Sequence, residues 1–201
     1  MFFHVMEKSP FGLPFSLNFV PLAQGMEIIM YHAEREIRDR EIIKAILNMC
    51  NVINIGFFDT EYPYVLPVNY GYEYNEDLVF YTHHAVEGYK NKLIEKNPKV
   101  CVLAHKFIDH VKFSTHKSPH DYRSVMAFGE IMVIPQSDDE YKKAWEVLTA
   151  CNKREVPSSV FNPDFKVMVC KIVCSSEKVI GKAQRRIASV EQVPFEFDLI
   201  K

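Results

Sequence analysis

With 201 residues, 48% of them apolar and 13% aromatic, the chain can build one domain with a sizeable core and is too apolar to be disordered. Its 24 basic and 26 acidic residues leave a net charge of −2, which excludes a dedicated nucleic-acid binder resting on a basic surplus. No run approaches the ~20 consecutive apolar residues that would cross a bilayer, so no membrane partner is expected.

Residues 1–25 read as a poorly ordered extension. Phe11 to Ala23 is apolar, but Pro10, Pro14 and Pro21 interrupt it and no small-residue cleavage pattern precedes Gly25. The folded domain is expected over residues 26–201, in the cytoplasm. Five cysteines (Cys50, Cys101, Cys151, Cys170, Cys174) without a CxxC pair read as small buried apolar residues rather than disulfides or a zinc site.

After a lead-in at Tyr31–Glu36, Asp39 can cap a helix from Arg40 to about Cys50, with an apolar stripe at Ile42, Ile43, Ile46, Leu47 and Met49. Val52–Phe58 reads as a strand. Tyr62–Tyr74 reads as a second, in which Pro63 and Pro67 suit an edge or bulge. Asn75, Glu76 and Asp77 turn it into a third strand from Leu78 to His83, making a hairpin. Tyr89–Lys96 is a short helix ended by Asn97-Pro98, and Lys99–Phe107 a further strand. A polar loop from Ile108 to Tyr122 carries His110, His116 and His120 at spacings too loose for a metal set. Arg123–Ile134 is a long strand whose Gly129 suggests a bulge or close backbone approach. Ser137–Asp139 start a helix to about Ala150, with Trp145 and Leu148 inward. Val167–Val173 is the last long strand, continuing through Val179–Lys182. Short antiparallel strands with added helices predict a mainly β (α+β) barrel with peripheral helices.

Four blocks follow one another in order: Pro63-Tyr-Val-Leu-Pro-Val-Asn-Tyr-Gly-Tyr72, Tyr81-Thr-His-His-Ala-Val-Glu-Gly-Tyr-Lys90, Asn97-Pro-Lys-Val100 and Ser124-Val-Met-Ala-Phe-Gly129. Together they resemble the FMN-binding split β-barrel of the pyridoxamine 5′-phosphate oxidase-related group, nearest the nitroimidazole-resistance (Nim) type. The resemblance spans roughly residues 31–182. It implies FMN as cofactor, NAD(P)H as electron donor, a small electron-poor substrate of the nitroaromatic kind, and a homodimer with the flavin at its interface.

The phosphate of FMN needs a fixed cation and several donors. The resemblance points to Lys90, with the hydroxyls of Thr82 and Ser124 and the backbone at Gly88; His84, in place of the usual Ser, could take a donor role to the phosphate, and Tyr122 and Arg123 could frame the flavin, since Arg stacks on planar rings. The backbone of Val68, Asn69 and Tyr70 is expected along the pyrimidine edge of the ring. His83 stands where relatives of the Nim type carry their His; it is the candidate catalytic side chain, a proton donor to a reduced substrate or a phosphate contact. Relatives have Arg before the Lys, whereas Tyr89 stands here. The lost charged hydrogen bond should weaken phosphate binding by about 1–3 kcal/mol, with Lys92 or Arg123 to compensate.

Two other readings share the fold or the cofactor. A pyridoxamine phosphate oxidase carries an Arg-rich C-terminal segment, for which Gln184-Arg185-Arg186 is the only counterpart here. A non-enzymatic flavin or haem binder, or a redox sensor, could use His83, His84 or the loop histidines as iron ligands.

Overall fold

The computed structural model describes residues 32–108 and 121–194. The expected extension over residues 1–25, most of the histidine-bearing loop and residues 195–201 lie outside the described residues.

Within this range the elements run β1 (Glu36–Ile37), α1 (Arg40–Asn48), β2 (Ile53–Phe57), β3 (Tyr64–Val68), β4 (Tyr70–Tyr74), β5 (Leu78–Ala85), α2 (Tyr89–Lys96), β6 (Lys99–Ile108), β7 (Asp121–Ile134), α3 (Asp139–Cys151), β8 (Val167–Cys174) and β9 (Val179–Ala183), with short 3-10 turns between them. All strand pairs are antiparallel, in the order β3-β2-β6-β7-β8-β5-β4, with β9 pairing β7 and β1. The two end strands of this order, β3 and β4, are not bonded to each other. They are consecutive in the chain, joined at Asn69, so the sheet curls into a barrel that is left split at that seam.

Strand β7 is the shared wall. Along its length it pairs β6, from Lys99↔Glu130 to Ile108↔Asp121. On its other side it bonds β9 over Arg123–Ala127 and β8 over Glu130–Ile134. The change of partner falls at Phe128–Gly129. The run predicted as one last strand is thereby two, because the turn at Ser176–Lys178 carries the chain from β8 to β9. Likewise the predicted Tyr62–Tyr74 strand is broken at Asn69, where the chain passes from one edge of the sheet to the other.

The main core is the inner face: Ile53, Ile55 and Phe57 from β2, Leu78 and Phe80 from β5, Val100, Val102 and Ala104 from β6, Val125, Ala127 and Ile131 from β7, and Cys170, Ile172 and Cys174 from β8. Helix α1 adds Ile42, Ile43, Ile46 and Leu47, the stripe its sequence carries; Asp39 caps it by accepting from the Ile42 amide at 3.0 Å. Its open C-terminal carbonyls are met from β4, where Tyr70 Oη donates to Leu47 O at 2.7 Å and Tyr72 Oη lies 3.1 Å from Lys44 O. Helix α2 contributes Leu93 and Ile94. Helix α3 builds a second, smaller core on the outer face, where Tyr141, Ala144, Trp145 and Leu148 meet Tyr81, Ile134 and Val169.

Cys50, Cys170 and Cys174 are buried and none of the five cysteines is disulfide-bonded. Among the described residues no helix is long and apolar enough to cross a membrane, and no three His, Cys, Asp or Glu gather as a metal set.

The close approach expected at Gly129 is present: a Cβ there would fall 2.2 Å from Val173 O and 2.6 Å from Cys174 Sγ. Gly129→Ala should therefore destabilise the fold by about 2–3 kcal/mol through forced backbone shifts. In the same urea unfolding series Gly56→Ala should stay within about 1 kcal/mol of wild type, since its nearest neighbour would be Cys101 O at 3.6 Å.

Candidate functional site

Strand alternation sorts the residues of β5. Leu78, Phe80, Thr82 and His84 point to the barrel interior, whereas Tyr81 and His83 point outward under α3. The register sets Thr82 between Tyr70 of β4 and Cys170 of β8, and His84 opposite Met168. Thr82 Oγ1 and His84 Nε2 are 2.8 Å apart, and both side chains are buried. Asn69 lies one residue beyond the Tyr70–Thr82 pair, and its amide holds the seam by donating to Asn51 O at 2.9 Å. The backbone of Val68, Asn69 and Tyr70 thus runs beside the end of β5.

The chain leaves β5 at Ala85 and enters α2 through Gly88, whose φ of 138° is a conformation that side-chain-bearing residues rarely adopt. Lys90 then turns back. Only 6% exposed, it donates from Nζ to Ala85 O at 2.9 Å and lies 3.4 Å from Glu87 O. Its ammonium brackets the turn that feeds the helix. Among the described residues no carboxylate pairs with it, so a full positive charge is buried with carbonyl partners alone. The amides that open α2 add to this field, and its first turn holds no acid. An anion seated here would offset a charge that is costly to bury unpaired. The corner is therefore chemically suited to an anion such as a phosphate.

The cation marks its neighbours. Burial, and then the positive charge of Lys90, hold His84 at about 4, so this imidazole is neutral at physiological pH. Burial pushes the Cys170 thiol up to about 12, only partly opposed by Lys90, which leaves a protonated and unreactive sulfur. Tyr89, where relatives carry Arg, faces away: its hydroxyl donates to Asp59 Oδ2 at 2.8 Å and its ring stands edge-on to Tyr64 at 5.7 Å.

His83 is on the opposite side of the sheet from His84. It is exposed, with its ring 5.5 Å from that of Trp145, and contact with the helix-covered surface lowers its pKa. The two histidines are therefore not a joint acid–base pair. Arg123 and Ser124 sit on β7 where it pairs β6 and β9, and the register runs from Val68 at the seam through Ile53 of β2 and Ala104 of β6 to Val125, which puts this end of β7 three strands from the seam. The Arg123 guanidinium, expected among the cofactor contacts, is instead fully buried. It bonds Asp121 Oδ1 at 2.5 Å, Tyr122 O and Val193 O, and Arg185 approaches the other Asp121 oxygen at 3.6 Å. Asp121 falls in the segment whose sequence predicts a polar loop, and no local signal in the sequence announces the pair. Ser124 faces outward from β7, and its hydroxyl makes only a long 3.4 Å contact with Lys182 O.

The buried His84 has a measurable signature. Its folded pKa lies below the ordinary 6.5, so the unfolded chain takes up a proton first as pH falls. Stability should decline from about pH 6.5 to about pH 4, by up to about 3 kcal/mol in total from this one group. Thermal melts of His84→Gln across that window should show a shallower decline than wild type.

The barrel and its site have relatives. The sequence profile of the pyridoxamine 5′-phosphate oxidase family matches residues 39–164. Among solved structures, the chain is 25% identical to a candidate 5-nitroimidazole antibiotic resistance protein from Bacteroides thetaiotaomicron, with a TM-score of 0.59 over 74% of this chain and 86% of that one. An FAD- and haem-binding protein from Mycobacterium smegmatis shares the fold at 14% identity and a TM-score of 0.57, over 79% of this chain and 78% of that one. So does the flavocytochrome Anf3 from Azotobacter vinelandii, at 19% identity and a TM-score of 0.56, over 84% and 78%. No curated protein sequence matches. The family profile spans more than half of the chain, through the seam, the β4–β5 hairpin, α2, the whole of β7 and α3, and the chain belongs to the pyridoxamine 5′-phosphate oxidase family.

Proposed function

We propose that the protein is a flavin-binding oxidoreductase. It holds FMN at the corner between the end of β5 and α2, and passes electrons from NAD(P)H to a small electron-poor substrate of the nitroaromatic kind. The observation that carries this reading is the buried ammonium of Lys90, set behind Gly88 at the start of α2 without a carboxylate partner. Membership of the family and the 25% identity to the candidate nitroimidazole resistance protein support the choice of cofactor and substrate class.

The bound flavin supplies hydride and single-electron chemistry. The chain's own residues have simpler tasks. Lys90 and the opening amides of α2 hold the phosphate, and the neutral His84 with Thr82 keeps the wall behind them polar but uncharged. The backbone at Val68–Tyr70 offers donors and acceptors beside that wall. His83, whose pKa is lowered by partial desolvation and whose ring lies beside Trp145, is poised to hand on a proton from the outer side of β5.

A homodimer fits the uncovered half of the outer surface. Val65, Pro67, Leu103, Met126 and Phe128 lie on one face of β3, β6 and β7, with Val65 56% and Met126 37% exposed. No helix among the described residues covers them. Such an apolar face is what a second copy would bury.

Purified protein should be yellow, and dithionite or NADH should bleach it. Lys90→Met should weaken FMN binding about tenfold or more in a fluorescence titration, the loss of one charge-assisted hydrogen-bonding cation. A colourless protein indifferent to added flavin would overturn the assignment, and an intense Soret band would turn it toward haem. Met126→Asp should shift light-scattering mass from dimer to monomer while the far-UV spectrum is retained; an unchanged mass would remove this face as the interface.

A further inference from the structure

Helix α2 sends its first two side chains in opposite directions. Lys90 turns inward to the corner, whereas Tyr89 lies outward, 51% exposed, against the turn that joins β2 to β3. The exposed ring is nonetheless fixed at two points. Its hydroxyl is held by Asp59 of that turn, and its edge meets Tyr64, which in turn leans on Phe57 at 6.0 Å. An aromatic ring tethered at both ends is a preformed platform, and a flat ligand stacking on it orders little that is not ordered already. The same turn projects Phe58 and Tyr62, which are 62% and 72% exposed.

Charged groups flank the platform on both sides. Bonds from the Thr60 amide, and then from the Tyr89 hydroxyl, hold the Asp59 carboxyl below its ordinary range, so it is an acceptor at neutral pH. On the helix side, Lys92 and Lys96 follow Tyr89 at three and seven positions, the spacing of one helix face, and both are exposed. Neither lysine has a carboxylate within ion-pair distance among the described residues; the charge of Lys96 reaches Asp59 only as a minor influence. A flat ring, an acceptor on one side and two uncommitted cations on the other suit a ligand that carries a heterocycle, hydroxyls and more than one phosphate.

We propose that this platform binds an adenosine diphosphate group, with the adenine on Tyr89, a ribose hydroxyl donating to Asp59 and the diphosphate beside Lys92 and Lys96. Stacking alone accepts any base, because every base has a π-face; the hydroxyl and phosphate contacts supply the preference. The nicotinamide donor carries this group, and so does FAD as the alternative flavin. The platform's purpose in the reaction rests on the flavin reading of the neighbouring corner, while the binding itself does not.

The test is calorimetric titration of the full chain, in excess FMN, with ADP-ribose and with ribose 5-phosphate. Saturable binding of ADP-ribose is expected, with ribose 5-phosphate at least about tenfold weaker. Tyr89→Ala should weaken ADP-ribose about tenfold, the loss of one base stacked on an aromatic ring. Tyr89→Phe keeps the ring and should stay within about threefold. Asp59→Asn and Lys96→Met should each weaken binding severalfold. Circular dichroism of each variant establishes that it is folded. In Tyr89→Ala, a rise of about tenfold in KM for NADH with FMN affinity unchanged assigns the group to the donor. A tenfold loss of affinity for FAD, but not for FMN, assigns it to the flavin. No saturable binding of ADP-ribose to wild type, or binding that Tyr89→Ala leaves intact, would overturn the proposal. A colourless protein indifferent to flavin that still binds ADP-ribose through Tyr89 would keep the platform and remove the flavin reading instead.

Discussion

The ladder of hydrogen bonds along β7 is the constraint on which the molecule rests. One fourteen-residue strand is wall to three others, and it exchanges β9 for β8 at Gly129. The exchange needs the backbone of β8 to come closer than any side chain would permit, and the missing Cβ permits it. From that point β8 fixes β5, β5 fixes β4, and the bend at Asn69 returns the chain to the other edge. The Lys90 corner exists because this route ends β5 at the place where the β3–β4 seam opens.

Energetically, the corner is unusual for what it lacks. Two other cations are matched by acids: Arg123 is buried with Asp121, and Lys171 with Glu140 ties β8 to α3. Among the described residues, Lys90 alone of the nearly fully buried lysines and arginines has carbonyl oxygens rather than a carboxylate for company. A protein that folded for stability only would lose little by placing an apolar residue there. An unmatched charge retained at a helix start is better understood as half of an interaction completed from outside.

Much of this was legible in the residues. Asp39 announced α1, Asn75–Asp77 the turn of the hairpin, Asn97-Pro98 the end of α2, and Gly129 the close approach, because each rests on a local preference that the fold does not override. The ordered motifs carried the family. What escaped was whatever depends on which face or which neighbour a strand takes. His83 and His84 read as one polar cluster because adjacency in sequence hides the two-residue period that parts them. Arg123 read as a ligand contact because its partner is two residues away, on the same face, in a segment that looked like loop.

The parting of the two histidines also says how this strand can vary. Insertion or deletion of one residue within β5 would exchange the environments of everything beyond it, moving a neutral imidazole into water and an exposed one into the lysine's field. Length changes in homologues should therefore gather in the turn at residues 75–77 or just before Gly88, and the strand itself should tolerate replacement of residues but not a change in their number.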